Sequence, residues 1–234
     1  MPAAGEAGSS SRRKKNVQVK WMLIVGLTGG VASGKTAVSE ALREEGAYII
    51  DADQIARELV QPHRPAWNEI IRTFGKDILR GDGSIDRKKL ADKIFVDPSQ
   101  RKLLNQILHP LITGEMDRRT IEIGQKNPEA IVVIDAPLLV EVGYHRRTDK
   151  LIVVISTQAE QIERLKVRDG IDSEAALRIV FSQMPVEEKV KLADFVIRNE
   201  GSLAETRERA KEVFRELKKI AFDKEGVTPS EDRR

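Results

Sequence analysis

The sequence predicts a three-layer α/β fold with a five-stranded, mainly parallel sheet. Three observations carry this. Five short apolar runs recur along the chain, each about the length of a buried strand. Stretches with helical periodicity separate them. The first two runs are joined by a single helix, the connection that sets neighbouring strands parallel.

Residues 1–20 are small, polar and basic, and are expected to form a disordered tail. Met22-Leu23-Ile24-Val25, ending in Gly26, is the first strand. A glycine-rich turn follows, and Thr36 to Glu45 reads as a helix with Val38, Ala41 and Leu42 on one face and Gly46 as its stop. Ala47-Tyr48-Ile49-Ile50 is the second strand. From Asp53 to about Gln125 the pattern is helical, punctuated at Gly75, Asp82-Gly83 and His109-Pro110, with no convincing strand; an insertion this long predicts a helical lobe over the sheet. Ile131-Val132-Val133-Ile134, Leu151 to Ile155 and Phe195-Val196-Ile197 are the remaining strands. Helices are expected over Gln158–Asp169, Asp172–Met184 and Glu205–Phe222, the last with Ala210, Val213, Phe214, Leu217 and Ala221 on one face. Residues 223–234 read as a frayed tail.

The 234 residues, 40% hydrophobic and 33% charged, suffice for one well-packed domain with smaller lobes. There is no cysteine, which excludes a disulfide framework and a Cys-based zinc site and fits a cytoplasmic location. No apolar run approaches the roughly 20 residues of a membrane helix, and the opening MPAAGEAGSSSRRKK lacks the apolar centre of a secretory signal. No membrane partner is therefore expected. The net charge of +3 sits in the tail: Arg12, Arg13, Lys14, Lys15 and Lys20 face one acid, Glu6, and the rest of the chain is near neutral. A folded part without excess positive charge argues against a nucleic-acid partner, leaving only the basic tail to touch RNA or an anionic surface.

Gly29-Gly30-Val31-Ala32-Ser33-Gly34-Lys35-Thr36 matches G-x-x-x-x-G-K-[ST], the P-loop. Glycines let the loop wrap so that its N–H groups converge on phosphate oxygens, and the helix behind directs its positive end at the same anion. Lys35 is placed to reach the β- and γ-phosphates of ATP, and the Thr36 hydroxyl to bind Mg²⁺. The motif follows a strand and opens a helix, as this chemistry requires. Asp135 closes an apolar strand and is either a second Mg²⁺ ligand or the cap of the turn that follows. Short length, a helical lobe after the second strand and an Arg-bearing helix after the fourth point to a small kinase, in which such parts hold the acceptor and close over ATP. Arg164 and Arg168, four apart, share one helical face; they either neutralise a transferring phosphoryl group or form a solvated face with Glu160 and Glu163.

With these residues in place the chain resembles the dephospho-CoA kinase family over about residues 22–220. The resemblance is carried by Ile24-Val25-Gly26-Leu27-Thr28-Gly29-Gly30, Ser33-Gly34-Lys35-Thr36, Asp51-Ala52-Asp53 with Ile55-Ala56-Arg57, and Leu108-His109-Pro110. Pro137-Leu138-Leu139 with Glu141, Arg164 with Arg168-Asp169, Ser182-Gln183, Ala193-Asp194 and Asn199 complete the series. It implies phosphorylation of the ribose 3′-hydroxyl of dephospho-CoA by ATP, with CoA and ADP as products. It also implies a three-part build: a core (21–52, 126–158 and 185–222), a substrate-binding lobe (53–125) and a lid (about 159–184). Asp53 matches the acid proposed as catalytic base in that family. Its place after the second strand, at the ligand-binding edge of a parallel sheet, suits that role; Asp51 is the alternative base, or the cap of the helix that begins near Asp53. The resemblance favours Arg168 at the transferring phosphoryl and adds Arg164 to the nucleotide contacts. His109 either contacts the substrate or is a structural residue before Pro110. Arg57 either meets a substrate phosphate or is an exposed helix residue. Ala32 stands where the family usually has Gly, which the loop tolerates if φ there is negative. Three rivals remain on the sequence: a kinase with another acceptor; a P-loop switch, against which the absence of an Asn-Lys-x-Asp base-reading loop counts; and an RNA-associated protein working through its basic tail.

Overall fold

Five strands form one sheet in which each pairing is parallel: β1 (Leu23–Gly29), β2 (Tyr48–Asp51), β3 (Ile131–Asp135), β4 (Lys150–Ile155) and β5 (Phe195–Arg198), in the order β2-β3-β1-β4-β5. This computed structural model describes residues 22–226; the two expected tails, 1–20 and most of 223–234, lie outside them. The three central strands are buried on both faces, which is why they read as continuous apolar runs and not as alternations. Alternate residues nonetheless serve different cores. Leu23, Val25, Leu27, Ile131, Val133, Ile152 and Val154 face one side; Val132, Ile134, Leu151, Val153 and Ile155 face the other.

The first of these cores is closed by α1 (Lys35–Glu44) and α9 (Leu203–Gly226), through Val38, Ala41 and Leu42 of α1 and Ala210, Phe214 and Leu217 of α9. These are the faces the 3.6-residue periodicity picked out. Leu42 is fully buried, and truncating such a side chain to alanine typically costs about 2–5 kcal/mol. The second core lies under α2 (Ala52–Leu59), α5 (Pro98–Lys126) and Tyr144. A third, separate core joins α3 (Pro65–Phe74), α4 (Arg87–Val96) and the first half of α5 around Ile70, Phe74, Ile78 and Leu104. α2 to α5 therefore form a helical unit with its own core between β2 and β3. Its only strand-like feature among the described residues is a bridge between Leu79 and Ile85.

Three expectations are corrected. β1 runs past Gly26 to Gly29. Gly26 reads as a strand end but serves as close packing, because a Cβ there would stand 2.5 Å from Leu139 Cδ2. His109-Pro110 does not break the helix: Pro110 lies inside the 29-residue α5. The missing N–H and ring clash cost roughly 3 kcal/mol, offset because both halves are anchored, Leu104 in the lobe core and Met116 against the sheet. The helix expected over Asp172–Met184 ends earlier. It is α7 (Ser173–Phe181), with the Asp172 carboxylate capping Ala175 N–H at 2.7 Å, and it is followed by a short α8 (Val186–Val190) that periodicity did not resolve. α6 (Gln158–Asp169) lies as expected, opened by a Thr157/Glu160 capping box. No helix among the described residues is long and apolar enough to cross a membrane.

Candidate active site

The carboxyl ends of β1, β2 and β3 converge on one edge of the sheet. Register pairs Leu27 with Asp135 and Asp51 with Asp135, so the phosphate loop and two acids emerge side by side. This is where ligands bind in open parallel sheets.

The loop is held from behind and below. Asn199 is buried; its amide donates to the Ser33 carbonyl at 2.8 Å, and its own carbonyl accepts from the Thr206 hydroxyl at 2.6 Å. Arg164 Nη1 donates to the Ala32 carbonyl at 3.2 Å while Nη2 reaches Glu160 and the Asn199 backbone carbonyl. Gln183 accepts from Val31 N–H at 2.8 Å. Gly34, at φ 89°, needs to be glycine twice over, because a Cβ would stand 1.9 Å from Asn199 Nδ2 as well as demand a left-handed L-residue. It also stands at the head of α1 without a side-chain cap, leaving that helix end open to an anion. Ala32 overturns the condition set for it: its φ is 55°, so an L-residue occupies the left-handed region here. The hydrogen bonds to the Ala32 and Ser33 carbonyls, with the Gln183 contact to Val31 N–H before them, hold it there.

Lys35 pairs with the Asp135 carboxylate. Asp135 is 4% exposed, and burial pushes its carboxyl above the usual aspartate range; the Lys35 ammonium and the Ser39 hydroxyl pull the other way and the nearby Asp51 charge adds to the rise. Thr36 is exposed on the first turn of α1. A hydroxyl and a carboxylate at the loop mouth are hard oxygen donors of the kind Mg²⁺ takes. No group of three or more His, Cys, Asp or Glu side chains able to hold a metal occurs among the described residues.

Beside the loop lies a cavity of about 110 Å³ lined by Asp53, Ala56, His109, Met116, Pro137 and Leu138. It brings together Asp53 from the first turn of α2, His109 from the middle of α5 and the turn after β3. Asp51 is not turned to it; its carboxylate accepts from Gln54 N–H at 2.9 Å as the cap of α2. The two helices that carry Asp53 and His109 are fastened by Arg119 of α5, which pairs with Glu58 of α2 and with Glu115. The Arg118 and Arg119 guanidinium groups hold the Glu115 carboxyl down at about 2. Arg57 is not among the residues lining the cavity; its Nε donates back to the Asp53 carbonyl at 3.1 Å. Arg168 sits at the end of α6, 60% exposed, its guanidinium bidentate on Asp169.

Lys189 escaped the sequence reading. It is fully buried on α8, with its ammonium on the Gly29 and Pro137 carbonyls and on Glu141. Inside Glu187-Glu188-Lys189 it reads as solvated charge; the helical spacing of Val186, Lys189 and Ala193 was the signal that it lies on the packed face. Asn199 and Gln183 entered only as parts of the resemblance, because a loop clamp made by distant side chains leaves no local pattern.

A parallel sheet, a phosphate loop backed by a helix, and a mostly apolar cavity holding one acid, Asp53, at the same edge define a P-loop kinase. The family model for dephospho-CoA kinase matches residues 23–205. Curated dephospho-CoA kinases from Corynebacterium glutamicum and Carboxydothermus hydrogenoformans are each 44% identical, over 84% of this chain and 100% of the first and 83% and 94% of the second. Among solved structures, TT1252 from Thermus thermophilus superposes with TM-score 0.71 at 34% identity, over 85% of this chain and 99% of that one. Dephospho-CoA kinase from Campylobacter jejuni gives 0.59 at 28% identity with the same coverage. The chain belongs to the dephospho-CoA kinase family, ATP-dependent transferases that catalyse the last step of CoA biosynthesis.

Proposed function

We propose that the chain transfers the γ-phosphoryl group of ATP to the ribose 3′-hydroxyl of dephospho-CoA, with Asp53 as the base. The observation that carries this reading is the direct chain connection between the acids at the strand ends beside the phosphate loop and the residues that line the cavity. Asp135, which holds Lys35, is followed directly by Ala136 and Pro137 of the cavity, and Asp51, its register partner, is followed by Ala52 and Asp53.

In this reading the acceptor hydroxyl donates to Asp53 and attacks the γ-phosphorus. The bond to the β–γ bridging oxygen breaks, ADP leaves, and the proton passes to the Asp53 carboxylate. Loop N–H groups and Lys35 hold the β- and γ-phosphates, so Lys35 exchanges Asp135 for phosphate when nucleotide binds. Thr36 and Asp135 would hold Mg²⁺, which when bound neutralises charge on the phosphate oxygens. Arg164 organises the loop from α6. Arg168 exchanges Asp169 for the transferring phosphoryl when residues 159–184 close as a lid. His109 and Arg57 contact the acceptor, whose length suits the helical unit of residues 53–125. A soluble, cytoplasmic enzyme without a nucleic-acid partner completes the proposal.

The test is ADP formation from ATP–Mg²⁺ with dephospho-CoA, AMP, CMP or no acceptor. Turnover with dephospho-CoA alone is expected. Comparable turnover with a nucleoside monophosphate would replace the acceptor, and acceptor-independent hydrolysis would replace the kinase by a switch.

A further inference from the structure

Lys189 is among the largest side chains wholly removed from solvent. Its ammonium lies 2.9 Å from the Pro137 carbonyl, 3.4 Å from the Gly29 carbonyl and 2.7 Å from Glu141 Oε1. Both Glu141 carboxylate oxygens are buried and accept no hydrogen bond among the described residues, so Lys189 is the charge that compensates them. Such a pair is weak evidence for a gain in stability, since apolar side chains of similar volume often serve a core as well or better. The contacts themselves are more informative. Gly29 opens the phosphate loop, Pro137 walls the acceptor cavity, and α8 closes the helical segment that follows β4. The Thr28 hydroxyl donates to the same Pro137 carbonyl at 3.0 Å, a second tether between the strand that feeds the loop and the cavity wall.

We infer that Lys189 is a positioning residue, which fixes the spacing between the phosphate loop and the acceptor cavity and so sets the distance between γ-phosphorus and acceptor hydroxyl. The inference rests on the acceptor reading of that cavity. In-line transfer is sensitive to such spacing: a displacement of about 1 Å can cost on the order of a hundredfold in rate. Lys189 touches neither substrate in this scheme, so its loss is expected in kcat and not in binding.

The experiment compares the full chain with Lys189→Met/Glu141→Met, which removes both charges together and leaves none orphaned, and with Thr28→Val, which deletes the second tether at nearly constant shape. The measurements are kcat, the KM for ATP and for dephospho-CoA, affinity for a fluorescent ADP, and thermal unfolding. The double variant is expected to unfold cooperatively, to keep ADP affinity and both KM values within about threefold of wild type, and to lose roughly ten- to a hundredfold in kcat. Thr28→Val is expected to lose about three- to tenfold in kcat, again at unchanged KM. A folded double variant with wild-type kcat, or a loss confined to KM, overturns the inference. If the double variant does not fold, wild-type kcat in Thr28→Val overturns it. Failure of the substrate reading appears separately, as wild-type chain that binds ADP but does not turn over dephospho-CoA, and the inference falls with it.

Discussion

The Lys35 ammonium is paired with the buried Asp135 carboxylate across the mouth of the phosphate loop. In the proposed scheme the triphosphate displaces this acid from Lys35. Two kinds of consequence follow, one for binding and one for stability.

For binding, Asp135→Asn should leave metal-free ADP bound as tightly as in wild type or several-fold tighter, because Lys35 no longer has a carboxylate to give up. The same change should lower kcat with ATP–Mg²⁺ by roughly a hundredfold or more, since it removes the candidate metal ligand. Titration calorimetry with and without Mg²⁺ separates the two effects. Weaker metal-free binding in the variant would contradict the exchange.

For stability, Lys35→Ala should largely abolish turnover and also cost on the order of 2–4 kcal/mol at neutral pH, because it strands a buried charge. The sign with pH follows from Asp135. Its carboxyl is already raised by burial and loses the opposing Lys35 charge in the variant. A raised carboxyl binds its proton more readily in the folded state, so the deficit is greatest above that pKa and shrinks as pH falls through it. Lys35→Ala/Asp135→Asn should regain most of the stability and none of the activity. Denaturant unfolding across pH 5–8 checks both points.

Asp51 and Asp53 stand two residues apart, and the proposed mechanism gives them different work: Asp51 caps α2, and Asp53 is the proposed base. Asp53→Asn should reduce kcat by about a hundredfold or more while ATP affinity and stability stay close to wild type, since the side chain is exposed and caps nothing. Asp51→Ala should cost about 1 kcal/mol of stability by removing the α2 cap, and Asp51→Asn should keep it. Steady-state kinetics beside thermal unfolding distinguishes them. A loss confined to ATP affinity in Asp53→Asn would remove it as base.

Ala32→Gly is expected to stabilise the chain by roughly 1 kcal/mol, because an L-residue held near φ 55° is relieved of its steric penalty. Urea unfolding at constant m-value measures it. An unchanged or lower midpoint would show that Ala32 sits there without strain.

The same residue marks where the sequence stopped being readable. Strands, sheet class and the packed faces of α1 and α9 were legible because two buried faces leave long apolar runs and a half-buried helix leaves a 3.6-residue period. The phosphate loop was legible because its glycines and Lys35 are contiguous. Backbone sign at Ala32 is set by Arg164 and Asn199, which approach from 132 and 166 residues away in sequence at the neighbouring carbonyls. Pro110 inside α5 and buried Lys189 share that origin: local propensity gave the wrong sign, and packing by distant segments decided. The cavity that gathers Asp53, His109 and Pro137 was legible only through the family resemblance.

The two arginines of α6 give the last contrast. Arg164 is one-third exposed and bonded to the phosphate loop, whereas Arg168 is mostly exposed and paired with its neighbour Asp169. Removing Arg164 deprives the Ala32 and Asn199 carbonyls of their donor, so Arg164→Ala should weaken nucleotide binding and lower thermal stability together. Among the described residues Arg168 holds nothing outside its own helix end. Arg168→Ala should therefore leave the unfolding temperature within a degree or two, the effect usual for an exposed side chain, and leave ADP affinity near wild type. If the guanidinium swings from Asp169 to the transferring phosphoryl when the segment closes, kcat should still fall by roughly ten- to a hundredfold. Wild-type turnover in Arg168→Ala would assign its charge to the solvated face of α6. A loss of ADP affinity equal to that of Arg164→Ala would place it on the bound nucleotide in the ground state instead of on the group in flight.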